Sequence, residues 1–505
     1  MKLIDDFLDR VTMYRLVVYG LGCLVALSLV FALTGRLAFG ATALLLSLTL
    51  LLGSAYTANR LFARIWGVPA NSESWLITAL ILFLILSPAD SLASGLALVL
   101  AGAFSSASKF VFAWRGRHVF NPAALAAALL SLTAAGTVSW WVGTSVLWPF
   151  VLLVGLAVVQ KIRRMPLFVT FTVVSVAVQA VVLVLGSHPL AAGMRHALLA
   201  SPLIFLSTIM LTEPATMPPR RNQQIVFAAL VALLYSSAWK LGPLDIYPEV
   251  ALLLGNMYAF AVSPKFRARL RLRYVQKISD QVYNYIFTPD RTFGFRPGQY
   301  MEWTLPGVPY DSRGNRRTLT IASSPTEGDV QLGIKFYNPA STFKATMASM
   351  EVGDEIYASQ LAGNFTLPKP GRQGVGHKLA FIAGGIGITP FRSMVKYLVD
   401  NQIQSDITLL YIVSSPDELA YADVLKAAWQ YGVKTIPVVT RPEAPAHQYI
   451  SAKLSQELIE RLVPDYAERL FYISGPNVMV DASRRYLRGL GVRRGGIKTD
   501  HFSGY

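Results

Sequence analysis

Cysteine is almost absent from this sequence of 505 residues, whose only one, Cys23, lies within an apolar run. A single cysteine excludes an internal disulfide and an iron–sulfur cluster held by the chain's own thiolates. We expect the Cys23 side chain to be a small buried hydrophobe. The six histidines avoid the centres of the apolar runs, so haem held by histidines from facing membrane helices is not expected.

Charge is also scarce: 15% of the residues are charged, whereas 53% are hydrophobic. The apolar excess lies before about residue 264, in runs of roughly 17 to 25 residues that are long enough to cross a bilayer. Later residues show alternating strand patterns with Asp-Gly and Pro-Gly turns, as in a soluble domain. We therefore predict a transmembrane helical domain over residues 1–264, with about ten helices centred near residues 25, 47, 80, 97, 128, 152, 176, 203, 232 and 255.

Lysine and arginine are concentrated in alternate loops of this region, for example at Lys109, Lys161 and Arg221, and nearly absent from the loops between. By the positive-inside rule, both termini face the cytoplasm, and we expect an integral protein of a bacterial plasma membrane. These loops also account for most of the net charge of +17. A nucleic-acid partner is therefore not expected, nor is a cleaved signal peptide, because residues 2–15 carry mixed charge.

A glycine-rich turn follows an apolar strand pattern in residues 381–390 and leads into an amphipathic stretch that ends near Val399. Glycines let such a turn tighten and let the backbone approach a pyrophosphate, which the first N–H groups of the next helix then bind. The pattern predicts a dinucleotide site, although an ordinary tight turn can have the same short motif.

Three other motifs accompany this turn, at residues 295–301 (Phe-Arg-Pro-Gly-Gln-Tyr-Met), 316–325 (Arg-Arg-Thr-Leu-Thr-Ile-Ala-Ser-Ser-Pro) and 471–476 (Phe-Tyr-Ile-Ser-Gly-Pro). In order and spacing, the four motifs resemble the ferredoxin-NADP reductase superfamily over about residues 270–505. The resemblance implies an antiparallel β-barrel FAD domain over residues 265–370 and a parallel α/β NAD(P)-binding domain over residues 371–505. The predicted fold is thus multi-domain, with a polytopic α-helical membrane bundle ahead of these two domains.

The resemblance also implies roles for single residues. Arg317 would pair with the FAD pyrophosphate, and Thr320 would hydrogen-bond near flavin N5, the atom that accepts hydride. The implied FAD site comprises Gly298, Gln299, Tyr300, Arg317, Leu319, Thr320, Ile321, Ser323, Ser341 and Thr342. The implied nucleotide site comprises Gly384, Gly385, Gly387, Thr389, Pro390, Gly475 and Pro476. The implied catalytic residues are Thr320, Ser474 and Tyr505.

Several positions depart from the family pattern or allow two interpretations. Leu319 replaces the usual aromatic residue beside the flavin, Ser474 a frequent cysteine, and Asp500 the usual glutamate. Tyr505 could cover the flavin or belong to a surface tail, and Ser341 with Thr342 could hold the FAD diphosphate or form an ordinary N-cap. No arginine follows the strand that ends near Val413, so NADH is favoured over NADPH, although Arg441 could meet a 2′-phosphate.

In the apolar half, residues 72–78, 114–124 and 211–219 resemble the related membrane subunits of sodium-pumping NADH:quinone reductase and of the Rnf complex. That family carries flavin in a ten-helix bundle, attached at a Ser-Gly-Ala-Thr sequence that is missing here. Three alternatives follow: covalent flavin at Thr216, a loop without a bound group, or non-covalent FMN or riboflavin. The last would be held near Arg117, Asn121, Glu213 and Thr216.

These polar residues could instead have ordinary structural roles and bind no cofactor. Asn121 and Pro122 could simply begin a helix. Glu213 and Glu249 are expected at helix ends, where solvated carboxylates cost little, so neither requires an ion-transport role.

The sequence therefore predicts a membrane flavoprotein that passes electrons from NAD(P)H through FAD into its membrane domain. The acceptor would be a second flavin, a quinone or an extracytoplasmic group, and a partner redox subunit is possible. The alternatives are a transporter or channel whose cytoplasmic domain senses nucleotide redox state, and a haem ferric reductase. The histidine positions disfavour the haem enzyme, and no metal site is predicted.

Overall fold

The structure is a computed structural model that describes residues 11, 13–66, 72–114, 117–133, 138–237, 240–241, 244–263, 267–279, 281–306, 315–336, 340–368, 377–441 and 448–500. The chain divides into two compact units, Met1–Lys265 and Phe266–Tyr505. Each unit has its own buried hydrophobic residues and is described separately below.

The first unit is helical. Its helices are α1 Met13–Leu33, α2 Ala41–Ile65, α3 Ser72–Ile85, α4 Leu92–Val111, α5 Pro122–Thr133, α6 Trp148–Ile162, α7 Met165–Leu185, α8 Leu190–Leu199, α9 Leu203–Phe205, α10 Arg221–Ser236 and α11 Pro248–Val262. Helix α9 continues as a π-helix, Leu206–Met210. Every predicted helix centre lies in one of these helices.

The prediction of ten membrane spans is not confirmed. Within the described residues, four helices are long and apolar enough to cross a bilayer, namely α1, α2, α4 and α7. The pair formed by α8 and the segment Leu203–Met210 is bent by 47° and could count as a fifth span. Helices α3, α5, α6 and α11 are apolar but only 10–17 residues long, which is shorter than the roughly 20 residues that a straight span needs.

Two expectations about single residues in this unit are wrong. The Cys23 side chain is exposed on α1 rather than buried, whereas the nearby Leu21 and Leu24 are fully buried. Glu249, in the first turn of α11, is only 1% exposed. Its carboxylate accepts hydrogen bonds from Ser131 Oγ at 2.7 Å and Trp140 Nε1 at 2.9 Å, so protein donors replace the expected water.

The second unit begins with six antiparallel strands. They are β1 Arg267–Lys277, β2 Val282–Pro289, β3 Tyr300–Thr304, β4 Arg316–Thr320, β5 Val330–Lys335 and β6 Glu355–Ala362, with α12 Thr342–Ala348 before the last. Their order in the sheet is β4-β3-β6-β1-β2-β5. One backbone hydrogen bond, from Ala322 N to Gln331 O at 2.8 Å, links the chain just after β4 to the opposite edge strand. The result is a half-barrel.

A parallel sheet with flanking helices follows. Its strands are β7 Lys378–Gly384, β8 Asp406–Val413, β9 Val433–Val439, β10 Ile450–Ser451, β11 Leu470–Ser474 and β12 Ile497–Asp500. Its helices are α13 Thr389–Asp400, α14 Ala422–Ala427, α15 Gln456–Leu462 and α16 Asn477–Gly489. The strand order is β10-β9-β8-β7-β11-β12. Strands β8, β9 and β10 therefore lie in turn on one side of β7, and β11 and β12 lie on its other side.

Candidate functional site

The parallel sheet has a topological switch point between β7 and β11. In open α/β sheets, ligands bind in the crevice at the carboxyl ends of the strands where the strand order reverses. Strand β7 ends at Gly384, and in β11 Ser474 pairs with Ala383 of β7. The two sequence motifs predicted to hold the nucleotide therefore meet at the one place in this sheet where topology favours a ligand.

Glycine is required on both sides of this crevice. A Cβ on Gly387 would lie 2.5 Å from the carbonyl oxygen of Ser474 and 2.6 Å from Gly475 Cα. A Cβ on Gly384 would lie 2.5 Å from Met479 Sδ. These distances are too short for real Cβ atoms. Small residues thus let the backbones of the two turns come into contact at the switch point.

The turn after β7 leads directly into a helix. Gly385 has a φ of +52° and open space where a Cβ would be, and a single 3₁₀ turn separates it from α13. Thr389 Oγ1 donates to the carbonyl of Ile386 at 3.1 Å, and Pro390 occupies the first turn of the helix. Pro476 similarly precedes α16 as its N-cap residue. The N-termini of two helices therefore follow the two turns, an arrangement suited to an anionic ligand.

The motifs predicted to hold FAD are also brought together. Strands β3 and β4 pair so that Tyr300 faces Thr320, and Ile321 N donates to Gln299 O at 3.0 Å. Gly298 has a φ of +88°, and a Cβ there would lie 2.2 Å from the carbonyl oxygen of Phe365. The segment that follows β6, residues 363–365, therefore lies against the first motif.

Arg317 lies beside the start of α12. Its guanidinium is 5.2 Å from the ring centre of Phe343, and the residue is 8% exposed. Ser341 is the N-cap of α12, where its hydroxyl accepts from Lys344 N at 3.3 Å, and Thr342 begins the helix. The ordinary N-cap is thus present, and it lies next to the guanidinium that would bind a diphosphate.

Among the buried polar atoms that have no hydrogen-bond partner in the described part of the chain are Thr320 Oγ1, Ser474 Oγ and Asp500 Oδ2. Ser474 and Asp500 are neighbours in the sheet, at the carboxyl ends of β11 and β12. Burial raises the pKa of the Asp500 carboxyl to about 7. Buried polar groups without partners are costly, so atoms of this kind indicate a missing ligand or water. All three belong to the regions where the motifs predict flavin and nicotinamide.

The remaining predicted residues of this unit need only brief mention. Leu319 is partly exposed on β4, and Ser323 is fully buried, with its hydroxyl accepting from Gln331 N at 3.1 Å. Tyr505 lies outside the described residues, so its stacking role stays a prediction.

In the helical unit, three of the four predicted flavin contacts are assembled. Thr216 Oγ1 donates to Glu213 Oε2 at 2.9 Å, and Asn121 hydrogen-bonds to the same carboxylate. Asn256, which the sequence did not single out, joins them: its Oδ1 accepts from Asn121 N at 2.9 Å. The side chain of Arg117 is outside the described part of the chain. Asn121 also caps α5, since its Oδ1 accepts from Ala124 N at 3.0 Å.

A cavity of about 60 Å³ adjoins this cluster. Its polar lining includes Ser74, Thr78, Asn121, Thr212 and Glu213. Residues of α1, α3, α5 and α6, together with Ile209 and Pro214, form the rest. The volume corresponds to about four water molecules.

Comparison with known proteins bears on the second unit. A family model for the oxidoreductase NAD-binding domain matches residues 381–485, a range that begins in β7 and ends in α16. Over these residues the C-terminal unit is similar to an oxidoreductase NAD-binding domain. The sequence alone predicted its glycine turn and its strand motifs. Sequence reasoning did not identify Arg392 and Glu327, whose side chains pair between the parallel-sheet region and the barrel. A charged residue on the apolar face of an amphipathic helix could have indicated Arg392.

Curated relatives match the chain in part. The NADH oxidoreductase HCR of Escherichia coli is 25% identical over 228 residues, which covers 45% of this chain and 66% of that protein. The propane 2-monooxygenase reductase component of Rhodococcus jostii is 25% identical over 246 residues, or 46% of this chain and 63% of that protein. The chain thus spans less than two thirds of these relatives' length.

Solved structures show a similar partial likeness. The cytochrome b5 reductase domain of Ulva prolifera nitrate reductase is 23% identical and has a TM-score of 0.41, with 47% of this chain and 98% of that chain covered. A Neisseria gonorrhoeae ferredoxin NADP+ reductase, solved with FAD and NADP, is 21% identical and has a TM-score of 0.40. That comparison covers 46% of this chain and 98% of the reductase chain. TM-scores this low support no conclusion about function.

Proposed function

We propose that this chain is a membrane-bound flavoprotein oxidoreductase that oxidises NAD(P)H with FAD and passes the electrons to its membrane half. One observation carries the proposal. The nucleotide crevice at the switch point and the β4 motif each contain a buried hydroxyl without a partner, Ser474 Oγ and Thr320 Oγ1. The NAD-binding family match covers the same crevice.

The residues present fit FAD in the barrel. Gly298 to Tyr300 and Arg317 to Thr320 form adjacent backbone edges, and Arg317 with the start of α12 offers positive charge and N–H groups for a diphosphate. Thr320 Oγ1 would donate a hydrogen bond to the flavin. NAD(P)H would enter the crevice between Gly384 to Pro390 and Ser474 to Pro476. FAD, when bound, supplies the conversion between two-electron and one-electron transfer.

Ser474 and Asp500 would act on the nicotinamide side. A neutral Asp500 carboxyl carries a proton that it can donate to an amide carbonyl, and Ser474 Oγ can donate or accept. Below pH 7 the carboxyl is protonated, because its raised pKa is about 7. Both groups would orient the nicotinamide and exclude water rather than react with it.

The membrane half would place the acceptor. The four long apolar helices and the basic loops support a bilayer location with the reductase module on the cytoplasmic side. We assign no electron-transfer step to the cavity beside Glu213, and a second flavin there stays a prediction. A quinone or an extracytoplasmic acceptor remains consistent with the proposal.

A direct test uses the full chain purified in detergent. We expect bound FAD, identified by mass after acid release, and oxidation of NADH or NADPH with ferricyanide as a soluble acceptor. Preparations without flavin that leave both nucleotides unoxidised would refute the proposed function, and a transporter with a nucleotide-sensing domain would then take its place.

A further inference from the structure

Arg392 is a buried arginine in the first turns of α13, the helix that follows the nucleotide turn. The residue is only 5% exposed. Its two terminal nitrogens pair with both carboxylate oxygens of Glu327, the Nη2 to Oε1 distance being 2.8 Å, and Nη1 also donates to the carbonyl of Ala322 at 3.1 Å. A bidentate guanidinium–carboxylate pair fixes both position and angle.

Glu327 belongs to the segment that continues the β4 motif. Its carboxylate also accepts hydrogen bonds from Ser324 N at 2.6 Å and from Gln331 Nε2 at 3.2 Å. The neighbour of Arg392, Ser393, donates its hydroxyl to the carbonyl of Ser323 at 2.6 Å. Three consecutive residues, 322 to 324, are thus held by α13 directly or through one carboxylate.

A second contact runs from the same arginine to the far side of the barrel. The guanidinium is 5.6 Å from the ring centre of Tyr421, whose hydroxyl donates to Asn284 Oδ1 in β2 at 3.1 Å. A Cβ on Gly333 in β5 would lie 2.6 Å from that hydroxyl and 2.7 Å from Thr389 Cγ2. The barrel and the start of α13 are therefore in close contact around Arg392.

The chemical consequence concerns alignment. Thr320 lies two residues before Ala322, and the glycine turn ends one residue before α13 begins. Arg392 therefore connects the strand end that would contact the flavin to the helix whose start would contact the nucleotide. Hydride transfer depends on the distance and angle between two bound rings, and a misplacement of about 1 Å can lower a rate by about 100-fold.

We propose that Arg392 is a positioning residue that sets the mutual geometry of the flavin and nicotinamide sites through Glu327 and Ala322. The inference rests on the proposed function, since it assumes that NAD(P)H reduces a flavin bound at β4. Arg392 touches neither site itself, so its removal should impair alignment more than binding.

The chain offers a matched control in Arg469. That residue is also a mostly buried arginine of the parallel sheet, paired with Asp406 at 2.7 Å and Asp465 at 2.6 Å and donating to Leu379 O at 2.9 Å. It lies at the amino end of β11, opposite the crevice. Arg392→Gln and Arg469→Gln each remove a mostly buried guanidinium from the carboxylates and carbonyl that it contacts, so both should lower the unfolding temperature.

The test is stopped-flow reduction of the flavin by NADH and by NADPH in the full-length holoprotein. For Arg392→Gln we expect a 10- to 100-fold slower reduction at saturating nucleotide, with nucleotide Kd and flavin content within about threefold of wild type. Arg469→Gln should reduce flavin at the wild-type rate. Hydrogen exchange of residues 320–325 should accelerate in Arg392→Gln and stay unchanged in Arg469→Gln.

Two further variants keep the test decisive if Arg392→Gln folds poorly. Glu327→Gln removes the charge of the partner and should slow reduction in the same direction, whereas Arg392→Lys should recover part of the rate because a single ammonium can still reach one acceptor. Equal reduction rates in the Arg392, Glu327 and Arg469 variants would overturn the inference. A wild-type protein that NAD(P)H does not reduce would instead refute the proposed function.

Discussion

Thr320 tests the flavin site at the scale of a single residue. Valine has the shape of threonine without the hydroxyl. In Thr320→Val we expect weaker FAD binding, by about 1 kcal/mol or roughly fivefold, because one hydrogen bond to the cofactor is lost. In the absence of FAD the variant should be at least as stable as wild type, since a buried hydroxyl without a described partner disappears. FAD titration and thermal unfolding measure the two effects.

Thr318→Val is the matched control, because Thr318 is on the same strand with its side chain exposed. Unchanged FAD binding is expected there. Equal FAD affinity in wild type and Thr320→Val would contradict contact between Thr320 and the flavin.

Asp500 gives a pH dependence. Its folded-state pKa of about 7 lies above the ordinary value of 3.8, so ionisation disfavours the folded state. The associated stability is fully present below pH 3.8 and is lost as the pH rises through 7. Asp500→Asn should therefore match wild type below pH 3.8 and exceed it above pH 7, by at most about 4.5 kcal/mol at about 1.4 kcal/mol per pKa unit. Thermal unfolding between about pH 3 and 9 measures the difference.

Asp481→Asn serves as the control, because that carboxylate has 57% of its side chain exposed. It should leave the pH profile of unfolding unchanged. An Asp500→Asn profile parallel to that of wild type would show that the carboxyl is already hydrated.

Individual residues differed in how well the sequence predicted them. The glycines and Thr320 belong to contiguous motifs, so the local pattern was sufficient to single them out, and their roles stay predictions. Arg392 and Glu327 lie 65 positions apart, and their pairing follows only from the packing of α13 on the barrel. We expected the Glu249 carboxylate to be solvated because the sequence shows that it lies at the start of a helix. The sequence does not show that Ser131 and Trp140, from distant segments, donate hydrogen bonds to it.

At the scale of elements, the contact between the turns after β7 and β11 is the feature to test. Gly387→Ala places a Cβ 2.5 Å from the Ser474 carbonyl oxygen, so one turn must move. Overpacking of this kind costs about 1–3 kcal/mol, and we expect lower unfolding temperature together with weaker NAD(P)H binding. Nucleotide titration of the holoprotein monitors the crevice directly.

Gly495→Ala in the same unit has open space around the new Cβ and should change neither property. Nucleotide binding that survives Gly387→Ala at wild-type strength would place the ligand away from this crevice.

The elements themselves were predictable to different degrees. Apolar runs predicted the positions of the helices, because a run of apolar residues between polar loops specifies a helix locally. They did not predict length. Helix α3 is strongly apolar, and residues 79–86 are buried inside the unit rather than facing lipid. Composition cannot distinguish a core helix from a lipid-facing one, so ten apolar runs became four helices of spanning length.

For the whole molecule, the membrane location can be tested through the single thiol. Cys23 is exposed near the middle of α1, which qualifies as a membrane span. In intact membranes we expect no reaction with a charged maleimide, because the thiol would face lipid, where a charged reagent does not reach it. Reaction should occur after denaturation in detergent. Mass spectrometry of the labelled chain measures both states.

A control carries the thiol elsewhere: Cys23→Ser combined with Val478→Cys presents it on α16, where the valine side chain is 82% exposed. We expect the maleimide to label this double variant rapidly in membrane preparations that expose the reductase unit to the reagent. Equally rapid labelling of Cys23 would place α1 outside the bilayer.

Ser474 stands at the end of β11 as a hydroxyl, and Cys23 is the sole sulfhydryl of the chain. A serine at that position forms neither a sulfenic acid nor an adduct with electrophiles. We therefore expect NAD(P)H oxidation to withstand peroxide, arsenicals and alkylating agents at doses that inactivate enzymes with a thiol beside their nucleotide.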